Sequence, residues 1–437
     1  MAELKAEDSK VEAARRRWTL LTPLRHRALA LLVVGQTASS IGDGLYAVAL
    51  PWYVLSHHGG SLMLATVLAA YGVPRAVLIP VGGTLSDRLS PQSTMVGADL
   101  IRAAAVGTLA GFAFAARADL AFLLPIAVVL GAGQGLFMPS SQAIVPALVP
   151  VDDLQPSNAL VTLGNELASM LGPLAGGVVV ASIGADVGFA VDAGSFLISV
   201  ATLLAIGVGR RAMADAAPAA APAGDPPALE EEEAIPAVTA PISMLGVLRS
   251  SAVFRVVLMI TVAANLCVGG MLQVALPVLV RTRFHGGAGG FGFVVAMFSV
   301  GAVVGAVAAG SVKAPARPAL VLSATVGGGM AVLAVLPYLG ALWGAALAFG
   351  VTGLAISFGN LVSITAFQRW APPHLLGRIM GLLLLASVGV FPISVLLGGV
   401  IVHGLGPAVA FPIAAASGIT VILVGLTSRT WREFSVD

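Results

Sequence analysis

The stretch from Gly82 to Arg102, GGTLSDRLSPQSTMVGADLIR, constrains this chain more than any other. One apolar run enters it and another leaves it. Between them lies a turn of Gly, Ser and Pro centred on Asp87–Arg88. Two hydrophobic helices joined by a short charged turn need a lipid solvent, and Asp87–Arg88 then marks where the chain re-enters water.

The rest of the chain repeats this pattern. Its 437 residues are 58% hydrophobic and 10% charged, against roughly 25% charged in soluble domains. A span needs about 20 apolar residues. Such runs fall at 28–55, 61–84, 94–116, 120–149, 157–183 and 187–208, then at 252–280, 289–311, 317–338, 341–369, 377–403 and 408–428. The expectation is an all-α membrane protein with twelve transmembrane helices in two pseudo-symmetric six-helix bundles. Residues 1–27 form an N-terminal segment, 28–208 the first bundle, 209–246 a linker, 247–428 the second bundle and 429–437 a tail. The linker is rich in Ala and Pro with a run of four glutamates, a composition that cannot bury apolar surface. The basic segment containing Arg15–Arg17 precedes an apolar run of about 28 residues, too long for the core of a cleavable signal peptide. The single cysteine, Cys267, excludes an intramolecular disulfide and any CxxC site.

Charge placement gives orientation. With the N-terminus in the cytoplasm, that side carries 18 Lys and Arg residues and the other carries 3, namely Arg117, Arg281 and Arg283. Both termini and the linker are therefore expected to be cytoplasmic. The halves are also related in sequence. Val48-Ala49-Leu50-Pro51 recurs as Val274-Ala275-Leu276-Pro277, and His58-Gly59-Gly60 is mirrored by Phe284-His285-Gly286 at the same offset of 226. Val149-Pro150 matches Ala371-Pro372. A duplicated six-helix unit makes the central cavity between the halves the default site.

A charge at the centre of a span costs at least about 2.5–3.5 kcal/mol and so needs a partner, water or a function. Six residues qualify: Asp43, Arg75, Asp99, Arg102, Glu166 and Asp192. All lie in the first half, and between Glu233 and Glu433 there is no Asp or Glu at all. If carboxylates carry protons, the first half carries them. Asp43, Glu166 and Arg75 lie near the middle of their spans and are the candidates for proton coupling or substrate contact. A carboxylate that gains and loses Arg75 or Arg102 as the protein rocks would alternately release and take up a proton. A permanent ion pair holding helices together is the competing reading. Asp192, toward the outer end of its span, is expected to be structural or water-facing. Asp99 and Arg102, three apart on one helix face, are expected to join Asp87 and Arg88 in a charge cluster at an inner gate.

The fifth span carries Gly164, Gly172-Pro173 and Gly176-Gly177, a spacing that lets helices approach closely and bends the span. Gly301-x3-Gly305 reads as packing. Gln36, Gln134, Asn165, Asn265, Gln273 and Asn360 are neutral polar residues in spans and candidates to line the cavity. No P-loop, no Ser/His/Asp grouping and no zinc-ligand spacing occurs, so no enzymatic chemistry, cofactor or metal is expected.

Gly83-x-Leu85-x-Asp87-Arg88 resembles the loop between the second and third helices of the major facilitator superfamily. Within that superfamily three segments resemble the branch of macrolide-efflux proteins and enterobactin exporters. They are Gly42-Asp43-Gly44 with Ala49-Leu50-Pro51-Trp52, Ala98-Asp99-Leu100-Ile101-Arg102-Ala103, and Asp192-Ala193-Gly194-Ser195-Phe196. The glycine–proline pattern of the fifth span resembles the antiporter-type motif of exporters. The resemblance implies export of small amphipathic molecules by alternating access, driven by protons, from a monomer in the cell membrane that binds no nucleic acid. It also implies a cytoplasmic gate of Gly83, Asp87 and Arg88, with Asp87 latching onto the start of helix 11 at Gly377-Arg378. The chain departs from the family loop in continuing with Ser90-Pro91-Gln92 instead of a Gly and a basic pair. An importer or lipid-flipping transporter on the same scaffold remains an alternative, as does a non-transporting receptor or assembly partner.

Overall fold

The computed structural model describes residues 22–115, 120–150, 153–206, 254–255, 258–259, 261–262, 265–312, 315, 317–370 and 373–427. The expected linker and both terminal segments lie wholly or mostly outside the described residues. The first six helices are α1 (Arg27–Ser56), α2 (Gly60–Arg88), α3 (Pro91–Phe114), α4 (Leu120–Ala143), α5 (Leu154–Ser182) and α6 (Ala185–Ile206). The second six are α7 (Gly270–Thr282), α8 (Gly287–Ser311), α9 (Pro318–Val335), α10 (Leu342–Trp370), α11 (Pro373–Leu405) and α12 (Pro407–Thr427). Eleven are long and apolar enough to cross a membrane, and α7 is a shorter apolar helix preceded by a π turn at Asn265–Gly269.

Three differences from the expected spans have local causes. The fourth span was expected to reach residue 149, but α4 ends at Ala143, and Val145–Ala147 form a 3-10 turn around Pro146, which has no N–H to continue the helix. The ninth was expected to reach 338, and Pro337 likewise turns Leu336–Tyr338 into a 3-10 segment. The seventh differs in carrying a π turn at Asn265–Gly269 that runs directly into α7. At the α2–α3 loop, by contrast, the short connection works as its residues suggest. Ser90 caps α3, its Oγ accepting from the Ser93 N–H at 3.1 Å, with Pro91 in the first turn.

Within the first bundle α1 packs on α5 and α6, α2 on α4, and α3 on α4 and α6. In the second, α8 packs on α10, α9 on α10 and α12, and α7 on α11. The bundles meet along two seams, α5–α8 and α2–α11. Hydrogen bonds tie the bundles together at the end away from Asp87 and at mid-helix. Ser61 Oγ donates to the Gly399 carbonyl at 3.4 Å, Arg281 Nη1 donates to the Leu55 carbonyl, and Ser299 Oγ donates to the Ser169 carbonyl at 2.9 Å. A Cβ on Gly72 of α2 would lie 2.8 Å from Phe391 of α11. Gly83, eleven residues on and so on nearly the same face, would meet nothing within 4 Å. On α8, Gly292 abuts the Pro173 carbonyl of α5, whereas Gly310, five turns later on the same face, meets nothing within 4 Å. The bundles therefore touch at one end and part at the end carrying Asp87 and Arg88.

Candidate functional site

The site grows from the middle of α1. Gly42 and Gly44 let α6 and α5 approach on either side: a Cβ on Gly42 would strike the Ser195 hydroxyl, and one on Gly44 would lie 2.7 Å from the Gly172 Cα. Between these contacts Asp43 projects inward, with 47% of its side-chain surface accessible. A carboxylate this deep in the fold with that much free surface borders a cavity.

Arg102 of α3 holds the other side. It is 2% exposed, and its guanidinium lies between the rings of Phe137 on α4 and Phe196 on α6, 4.3 Å from each centroid. One Nη donates to Asp99, the residue three before it on the same helix. The other donates to Gln134 Oε1 at 2.5 Å and lies 3.7 Å from Asp43 Oδ2. Arginine's fixed fork of five N–H donors suits such a site, where two planar rings leave only the edge free for hydrogen bonds. Asp99 is fully buried, its second oxygen unbonded beside the Ser199 hydroxyl, which is also unbonded. Asp192 of α6 completes the group. It is 1% exposed, packs against Gly42, lies within electrostatic reach of Asp43, and has one oxygen without a partner. Three carboxylates thus share one paired arginine.

Several residues stand elsewhere than expected. Asp99 and Arg102, expected with Asp87 and Arg88 at a gate, instead join Asp43 in the bundle interior, because α3 carries them two to three turns in from Ser90. Asp87 and Arg88 are exposed at the end of α2. Asp192, expected to be structural or water-facing, is buried and not water-facing. Arg75, a candidate partner for the carboxylates, pairs with none of them. Its Nη2 approaches Met138 Sδ at 3.4 Å, its guanidinium carbon lies 5.9 Å from the Tyr71 ring centroid, and its Nε is buried without a partner. Glu166 is exposed and outside the Arg102 network. It lies three residues before Ser169 and so borders the α5–α8 seam. Arg378 lies on α11, and its side chain is outside the described residues.

The polar candidates divide. Gln134 binds Arg102 directly. Asn165 accepts from Ser40 at 3.2 Å, and Gln36 is 7% exposed with its amide nitrogen unbonded. Asn265 opens the π turn, donating to the Thr261 carbonyl at 2.9 Å and reaching Ser387 at 3.4 Å. Gln273 and Asn360 are exposed. The glycines of α5 are contact points. Gly164 faces Thr37, while Gly172 and Gly176 face the α1 backbone. Gly177 beside Pro173 faces Gly289 and Gly292 of α8, with a Cβ there 3.2 Å from each Cα. Phe137 and Ser199 were not singled out from sequence, and Phe196 entered only as the end of the Asp192–Phe196 segment. Phe137 follows Gln134 by three residues, a helical neighbour that becomes informative only once Gln134 is known to meet Arg102.

Outside the membrane, Asp153 at the start of α5 accepts from His26 at 2.8 Å and pairs with Arg25 at 3.1 Å. These partners, His26 foremost, hold its carboxyl below the usual range.

Comparison with known proteins follows this geometry. A family model described as transmembrane secretion effector matches residues 18–430. The enterobactin exporter EntS of Citrobacter koseri is 26% identical over 422 residues, covering 94% of each chain. The multidrug efflux pump Tap of Mycolicibacterium fortuitum is 25% identical over 419 residues, covering 93% of this chain and 96% of its own. Among solved structures, a peptide transporter POT in complex with sulfate superposes with a TM-score of 0.70 at 16% identity, covering 94% of this chain and 96% of that one, which shows the shared fold.

Proposed function

Because the chain belongs to the transmembrane secretion effector family of the major facilitator superfamily, we propose that it exports small amphipathic molecules across the cell membrane by alternating access, exchanging them for protons. The relatives that are an enterobactin exporter and a multidrug efflux pump support the direction. The excess of Lys and Arg on the Asp87 side supports placing that end in the cytoplasm. The splayed end then faces the compartment from which an exporter loads, and the α5–α8 and α2–α11 seams seal the far side.

The observation that carries the proton step is the asymmetry of the two ion pairs on Arg102. Asp99 is bonded to it directly and fully buried, while Asp43 stands at 3.7 Å with nearly half its surface free. Asp43 can leave Arg102 and take a proton without stranding the arginine, which keeps Asp99, Gln134 and two aromatic rings. Closing the cavity and moving α1 against α3 would open or restore the Asp43 contact, linking protonation to conformation. Glu166, exposed at the seam, would serve substrate contact or the seam itself.

The test is efflux of a fluorescent drug-like dye from proteoliposomes. An imposed pH gradient should accelerate dye movement at least severalfold, and a protonophore should abolish the acceleration. Equal flux with and without the gradient would reject proton exchange. Gradient-driven movement that persists in Asp43→Asn combined with Glu166→Gln would reject the acidic residues named.

A further inference from the structure

The interior of the first bundle holds two arginines, and only one has its charge answered. Arg102 has Asp99 and Asp43 within ion-pair distance, although its Nε, like that of Arg75, is buried without a partner. Arg75 has a thioether, a ring face beyond 5 Å and a buried Nε with no partner. It lies within electrostatic reach of Asp43, yet among the described residues no carboxylate stands at ion-pair distance from it. Nor can the facing bundle supply one, since residues 234–432 contain no Asp or Glu. An unanswered cation inside a membrane protein is costly, and such a charge marks a ligand path more often than a strut.

Its direction is set by its neighbours. Gly72, three residues earlier, faces Phe391 and Pro392 of α11, and the Arg75 backbone itself abuts Gly135 of α4. The side chain leaves α2 between those two contacts, toward the space between the bundles. There Tyr71 and Met138 give it one aromatic and one soft apolar wall.

We propose that Arg75, with Tyr71 and Met138, is an anion subsite of the transport cavity, and that it takes a carboxylate or phenolate carried on an otherwise apolar, aromatic substrate. Guanidinium pairs such an oxygen through charge-assisted hydrogen bonds, and the Tyr71 and Met138 walls receive the ring that bears it. The bound anion supplies the charge that the second bundle lacks. This deepens the export reading and rests on it only for calling the ligand a transported substrate.

The experiment uses equilibrium binding to the full-length protein in lipid nanodiscs, without a gradient, so that it stands apart from any failure of proton coupling or export. Rhodamine 110, a free carboxylic acid, and rhodamine 123, its methyl ester, share one ring system and differ at the anionic group. Fluorescence anisotropy should show the acid bound about tenfold more tightly than the ester, as a charge-assisted hydrogen bond would give. Arg75→Gln should erase that preference while leaving ester affinity within about twofold, and the ester serves as the check that the cavity is intact. Arg75→Lys should keep a reduced preference. Should Arg75→Gln lose both dyes, the Lys variant decides: an acid preference supports the subsite, and its absence rejects it. The subsite is also overturned if the wild type binds the two dyes equally or not at all, or if Arg75→Gln still favours the acid.

Discussion

The two bundles repeat a sequence pattern and a packing plan, yet every carboxylate within them lies in the first, and residues 234–432 contain no Asp or Glu. Asp43 of α1 corresponds at the offset of 226 to Gly269, the last residue of the π turn before α7, and Arg102 of α3 corresponds to Gly328 within the Gly327–Gly329 run of α9. The second bundle meets its polar needs by other means. Its π turn leaves the Gly270 and Met271 N–H groups to donate to Ser394 Oγ at 2.9 and 3.1 Å, and Asn265 binds backbone within its own helix. A repeated fold can therefore place its carboxylates in one half and leave the other as a wall without them. The unequal halves also leave the cavity with an arginine that its own side cannot answer.

The sharpest attempt to break this contrast is removal of Arg102. Arg102→Leu leaves Asp99, fully buried, without its cation. The expected cost is about 3–5 kcal/mol, read as a lower thermal midpoint in detergent, and Asp99→Asn on top of it should restore part of the loss. A negligible change would mean the network is decoration. The seam between the bundles comes next. Gly292→Val puts side-chain atoms where α5 presents the Pro173 carbonyl. It should cost about 1–3 kcal/mol if the seam cannot part, or else shift the population toward opening of that end, read by distances between spin labels on α5 and α8. In the second bundle a fully buried polar contact, that of Ser394, is weaker. Ser394→Ala removes one acceptor for two backbone donors and should cost about 1–3 kcal/mol, at the low end if water replaces it. A cost equal to that of Arg102→Leu would erase the distinction between the halves.

The smallest effect belongs to the Asp153 clasp. Its carboxyl is held below the ordinary value, so its contribution is full at neutral pH and disappears as pH falls through the lowered value. Wild type and Asp153→Asn should therefore differ slightly in thermal midpoint near pH 7 and converge in acid.

How much of this was legible in the residues follows from what each feature depends on. Apolar runs, the capped turn at Ser90–Pro91 and the proline breaks depend on neighbouring residues, and the sequence carries most of them. The confinement of interior charge to the first half was also plain, since it is a matter of inventory. The pairing was not. Nearness along the chain puts Asp99 and Arg102 with Asp87, whereas the register of α1 and α3 on α6, set by small residues such as Gly42, brings them to Asp43. For Asp192 two readings were open, structural or water-facing, because its depth depends on the α1–α6 crossing and not on its distance from a helix end; its burial against Gly42 is compatible with the first. Arg75 could be recognised as a costly charge but not as an unpaired one, because absence of a partner is a fact about the assembled cavity.

The most direct measurement compares two fluxes in proteoliposomes holding the Asp43→Asn protein. Equilibrium exchange of dye across the membrane should persist near the wild-type rate, while accumulation driven by a pH gradient should fall to the protein-free background. Gradient-driven accumulation at the wild-type level in this variant would contradict a proton step at Asp43.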